Sequence, residues 1–123
     1  MKRSHRLETE AGTVVAEQVE VADTLVSRFL GLMFRSELPR GDGLALRPCS
    51  SIHMFFMRFP VDVLFVDGDG RVLRVLESIR PWRASSVVRG AKAAIELPAG
   101  TAALTGVGAG TVVRMVEGPT ASR

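Results

Sequence analysis

The sequence predicts a mostly β single domain, a β-sandwich of jelly-roll type or a distorted barrel, carrying one short helix. Three observations predict it. Val61 to Val66 and Arg71 to Leu76 are two apolar, β-branched runs joined by Asp67-Gly68-Asp69-Gly70, the strongest hairpin signal in the chain. Further short β-rich stretches recur along the chain, separated by Gly and Pro turns. Only one stretch changes to helical spacing.

The elements follow in order. His5 to Thr9 and Thr13 to Val21 predict a hairpin about Ala11-Gly12, the second strand alternating Val19 and Val21 against Gln18 and Glu20. Asp23 or Thr24 can cap a short helix whose Leu25, Phe29, Leu32 and Met33 recur on one side. It ends before Pro39, and Arg40-Gly41-Asp42-Gly43 follows as a loop. Gly43 to Leu46 and Ser51 to Met57 are short candidate strands, the latter interrupted at Phe59-Pro60. Beyond the central hairpin, Arg80-Pro81-Trp82 breaks the chain. Ser85 to Val88 and Ala93 to Leu97 are weaker strand candidates. Thr101 to Leu104 is ambiguous, Gly106 to Gly110 is a loop, and Thr111 to Glu117 is a final strand. The core is expected over residues 5–117, with residues 118–123 as a tail.

Composition bounds the function. The chain has 123 residues, 46% of them hydrophobic. A domain of that size buries roughly two-thirds of the surface of its unfolded chain, so it needs neither disulfides nor a structural metal. A lone cysteine, Cys49, precludes an intramolecular disulfide and fits a reducing compartment. The first ten residues are charged, unlike a secretory signal, and no run reaches the roughly 18 apolar residues of a membrane span. A cytoplasmic protein with no membrane contact is expected. Net charge is +3, and between Arg71 and Lys92 six basic residues face only Glu77. That surface suits an anionic partner, or is a solvated basic face; without a binding motif, no nucleic acid is expected.

Some residues form a pattern. Arg28-Phe29-Leu30-Gly31-Leu32-Met33-Phe34-Arg35 is one block. Phe56-Met57-Arg58-Phe59-Pro60-Val61-Asp62, followed by a strand and Asp67-Gly68-Asp69-Gly70, is a second. Ile95-Glu96-Leu97-Pro98-Ala99-Gly100 is a third. In this order they resemble the signatures of the family known as domain of unknown function 192, over about residues 12–116. The resemblance implies a compact, mostly β prokaryotic domain with a short helix, and no established activity. Many relatives carry an export signal, and none is expected here. Arg58-Phe59 stands where the family has Lys-Asn-Thr, and Gly43-Leu44-Ala45-Leu46 replaces Gly-Met-aliphatic-Phe. The first difference removes two polar groups and puts in doubt any chemistry that needs that asparagine.

The candidate site residues are Arg28, Gly31, Arg35, His53, Arg58 and Asp62. Arg28 and Arg35 share a helical face around Gly31, a glycine that costs about 1 kcal/mol against alanine and so implies close approach of a ligand or backbone. Guanidinium forks suit carboxylate or phosphate. The alternative is tight packing, with both arginines paired to Asp62 or Glu96. Asp62, in an apolar strand, must be paired if buried; its candidate partners are Arg58, Arg28 and Arg35, and a general acid–base role is the alternative. His53 is a core or edge histidine, or a partner of Cys49 as thiol–imidazole couple or metal ligand. No metal and no cofactor are expected: too few ligands accompany Cys49 and His53, Arg71 breaks the calcium-loop pattern, and no dinucleotide or phosphate loop is present. Trp82, if exposed, can stack on a ligand; otherwise it covers one end of the core.

Three functions remain. The preferred one is a binding module for an anionic small molecule or peptide at those six residues. The second is a hydrolase using His53 and Asp62, which requires both within reach of one point. The third is an interaction domain holding a protein partner on the Arg71–Lys92 face or an open sheet edge.

Overall fold

The computed structural model describes residues 4–22, 37–51 and 58–117. The strands are β1 (Ser4–Thr9), β2 (Val14–Ala22), β3 (Asp42–Leu46), β4 (Val61–Val66), β5 (Val72–Ile79), β6 (Ala93–Pro98) and β7 (Val113–Glu117), with one short helix, α1 (Thr101–Thr105), before β7. They form one sheet in the order β5-β4-β6-β3-β2-β1-β7. The chain therefore adopts the distorted barrel rather than the sandwich. The helix expected from Asp23 and all but the first residue of the strand expected at Ser51 to Met57 lie outside the described residues.

The hairpin β1–β2 turns where Gly12 takes φ +98° and its N–H donates to Thr9 O. β2 and β3 run parallel, Gln18 opposite Asp42; the other pairings are antiparallel. β4 and β6 lie mid-sheet and are buried along their whole length, because both faces are covered. This explains why Val61 to Val66 is a continuous apolar run rather than an alternating one. Inside the curl, Leu7, Val19, Leu64, Leu97, Val72 and Val113 pack together from both edges and the centre of the sheet. On the other face, Val61, Val63, Phe65, Leu44 and Leu46 pack with Leu38 and Val88.

Two expectations change. Ser85 to Val88 is irregular rather than a strand, and Val88 N–H donates to Ser50 O at 2.7 Å. Thr101 to Thr105 is a single helical turn bounded by Gly100 and Gly106, both left-handed.

The curl is drawn shut where the two sheet edges meet. Arg71 bridges Val112, Val72 N–H donates to Thr111 O at 2.8 Å, and Val113 N–H donates to Gly70 O at 2.9 Å. Gly70 has φ +85°, and a Cβ there would lie 2.3 Å from Val113 O. Strain and overlap combine, so Gly70→Ala is expected to cost roughly 2–4 kcal/mol. Gly110→Ala, at φ +97° with open space around it, is expected to cost about 1 kcal/mol. Urea unfolding midpoints of the two variants measure the difference; equal losses would show that the junction does not hold the edges together.

Candidate binding cleft

Among the expected site residues, Arg28, Gly31, Arg35 and His53 lie outside the described residues. The other two are described, and they are not brought together. Arg58 is exposed ahead of β4, whereas Asp62 is fully buried within it. The expected Arg58–Asp62 ion pair is not among the bonds of the described residues. Asp62 instead accepts three backbone N–H bonds: Oδ1 from Ser78 at 2.8 Å, and Oδ2 from Gly100 at 3.1 Å and Ala102 at 2.9 Å. It ties the start of α1 to the left-handed turn at Ser78, where φ is +50°. A buried carboxylate must be satisfied, and among the described residues backbone amides at 2.8–3.1 Å satisfy this one; Arg28 and Arg35, the other candidate partners, lie outside those residues.

Glu96 presents the opposite situation. It sits on β6 opposite Leu44 of β3 and Val63 of β4, and is 4% exposed. Its Oε1 has no hydrogen-bond partner among the described residues, and burial pushes its carboxyl up to about 7. The sequence offered it only as a partner for arginines. A single acid in the otherwise apolar run Ala93-Ala94-Ile95-Glu96-Leu97-Pro98 was the available signal.

The curled sheet leaves a cleft of about 450 Å³ at one end of its interior. Its floor is apolar: Leu7, Ala45, Val66, Ile95, Val113 and Met115. Its rim is charged, with Arg47, Lys92 and Arg114 on one hand and Asp67 and Asp69 on the other. Neither Arg58 nor Asp62 is among the described residues that line it.

Strand ends position the cations. Arg47 follows β3 directly, its N–H donating to Ala22 O at 3.0 Å. Lys92 precedes β6; its N–H donates to Val66 O at 2.8 Å and its carbonyl accepts from Cys49 N–H at 3.1 Å. Because β3 and β6 are antiparallel with Leu46 opposite Ala94, both side chains emerge at the same end of the sheet. Arg114 is partly neutralised: Glu8 accepts from Arg6 Nε at 2.8 Å and from Arg114 Nη2 at 3.4 Å. The Arg6 hydrogen bond, aided by Arg114, holds the Glu8 carboxyl below its usual range. Arg47 and Lys92 have no carboxylate partner among the described residues.

The acidic lip is the β4–β5 turn. Asp67 Oδ1 accepts from Asp69 N–H and Arg71 N–H, both at 2.9 Å, and these bonds, Arg71's first, hold its carboxyl below the usual range. The carboxylate that resembled the first ligand of a calcium loop thus organises the turn itself. Cys49 is half-buried and its Sγ donates to Ser51 O at 3.0 Å.

The sequence matches the family model DUF192, described as Uncharacterized ACR, over residues 6–115. It is 40% identical over 93 residues to a UPF0127 protein of Thermococcus sibiricus, covering 72% of this chain and 60% of that relative. It is 35% identical over 99 residues to a UPF0127 protein of Pyrococcus furiosus, covering 76% of this chain and 83% of that one. The chain thus spans three-fifths of the length of the Thermococcus relative. In structure it resembles a protein of unknown function from Novosphingobium aromaticivorans, with TM-score 0.79, 26% identity and coverage of 92% and 84%. It resembles equally a putative transcription regulator from Sinorhizobium meliloti, with TM-score 0.79, 26% identity and 94% of each chain covered.

Proposed function

The chain belongs to the DUF192 family of uncharacterised proteins, and we propose a function from its own geometry: a small binding module whose cleft takes an apolar molecule bearing an anionic group. One observation carries this reading. The barrel mouth combines an apolar floor with two cations on its rim, Arg47 and Lys92, that have no carboxylate partner among the described residues. Ligand sites in small barrels favour that place and that mixture, an apolar lining with a few orienting polar groups. A guanidinium beside an ammonium suits a carboxylate or phosphate.

A panel of apolar carboxylates, octanoate among them, and short apolar peptides tests the reading by thermal shift. A ligand at 100 times its Kd is expected to stabilise the fold by about 2.7 kcal/mol. Arg47→Gln and Lys92→Gln are each expected to weaken binding about tenfold, since a charge-assisted bond is lost while the floor is kept. Absence of any shift across the panel, or shifts indifferent to both substitutions, would overturn it.

One observation favours a second reading, an interaction domain. Trp82 is 58% exposed and has φ +68°, in a turn closed by Arg83 N–H donating to Arg80 O at 3.3 Å. Such a φ is a genuine outlier for a bulky residue. This strained turn carries a largely exposed aromatic residue, with Arg80 and Arg83 close by in sequence and Val87 70% exposed a few residues on. Trp and Arg are the side chains that most often anchor protein partners. A cleft that binds nothing in the panel would leave this surface as the functional one. No helix among the described residues is long and apolar enough to cross a membrane.

A further inference from the structure

The cleft's rim has two signs of charge, and they are not spent on each other. Arg47 and Lys92 stand at the β3 and β6 ends, and Asp67 and Asp69 stand in the β4–β5 turn. Lys92 runs past that turn: a Cβ placed on Gly68 would lie 3.9 Å from Lys92 Cγ. Even so, no ion pair joins the two lips among the described residues. Asp67 Oδ1 is occupied by the turn's own N–H groups, and exposed Asp69 has no cationic partner among the described residues.

A purely anionic ligand would gain from Arg47 and Lys92 and be repelled by Asp67 and Asp69. A ligand carrying an ammonium as well as a carboxylate meets an opposite charge on each lip. Between them it needs an apolar body to cover Leu7, Ala45, Val66, Ile95 and Val113. We propose that the cleft binds a short zwitterionic peptide of apolar residues, its C-terminal carboxylate on Arg47 and Lys92 and its N-terminal ammonium against the Asp67–Asp69 turn. The proposal rests on the cleft being a binding site and specifies what fills it. The cavity, about 450 Å³, lies toward the small end of ligand pockets and suits two or three residues rather than an extended segment.

Calorimetric titration of the whole chain with Leu-Leu, N-acetyl-Leu-Leu, Leu-Leu-amide and octanoate tests it. Leu-Leu is expected to bind at least tenfold tighter than either blocked form. Asp69→Asn is expected to shrink the gap between Leu-Leu and its N-acetyl form severalfold, leaving the amide gap unchanged. Arg47→Gln is expected to do the reverse. These crossed effects report which lip reads which terminus, and a general loss of folding would not produce them. N-acetyl-Leu-Leu or octanoate binding as tightly as Leu-Leu would overturn the zwitterion inference while leaving the cleft a binding site. Binding of none of the four, with no response across the wider thermal-shift panel, would overturn both.

Discussion

Asp62→Ala is expected to lower the stability of the fold by about 3–5 kcal/mol, seen as a lower urea midpoint with an unchanged slope. The substitution removes the acceptor of three backbone N–H groups at once, those of Ser78, Gly100 and Ala102. No other acceptor is supplied by a fully buried alanine. Asp62→Asn should lie between the two, and for a definite reason. Oδ2 receives two N–H groups and Oδ1 one, so an amide keeps an oxygen for one side and must aim its own donors at the other. Arg58→Ala, by contrast, is expected to change stability by no more than about 0.5 kcal/mol, since that side chain is exposed. Comparable losses at Arg58 and Asp62 would restore the ion pair that the sequence pointed to.

The second large effect depends on pH. Glu96 has its carboxyl raised from 4.5 to about 7 by burial. Between those values the folded chain holds a proton that the unfolded chain has released. Stability therefore falls as pH rises through this window, and levels off above about 7. The loss is on the order of 3 kcal/mol across the window. Glu96→Gln mimics the protonated acid in shape and cannot ionise. It should match the parent chain near pH 4 and exceed it by on the order of 3 kcal/mol at pH 8. Urea unfolding of both chains at pH 4, 6 and 8 measures this. Two curves that stay parallel across the range would mean that Glu96 does not ionise at a cost.

The local elements were legible because their signals are local. Val61 to Val66, the Asp67–Gly70 turn and the strand after it carry their structure in adjacent residues, and so does the β1–β2 hairpin. α1 was not, because five residues are too few to display a helical period, and its limits are set by two left-handed glycines. Asp62 shows a different limit. An acid in an apolar strand announces that it needs partners, but backbone amides are present at every residue and leave no mark in the sequence. The cleft was the least legible feature. Arg47, Asp69 and Lys92 become neighbours only when β3, β4 and β6 lie side by side, an order that the chain does not follow. The expected site residues Arg28, Gly31, Arg35 and His53 lie outside the described residues.

The pairing of β1 with β7 sets His5 opposite Glu117 and Leu7 opposite Met115. Leu7 on one strand and Val113 and Met115 on the other both belong to the cleft floor. The floor is thus assembled from the two most distant parts of the described chain. During synthesis the β1–β2 hairpin can form soon after it leaves the ribosome, but its outer edge waits for β7, some hundred residues later by its register. Closing so long a loop is slow, and the sheet gains its seam at Gly70 only when it is done. A nascent chain, however well folded at its centre, has no finished cleft until translation has passed the last strand.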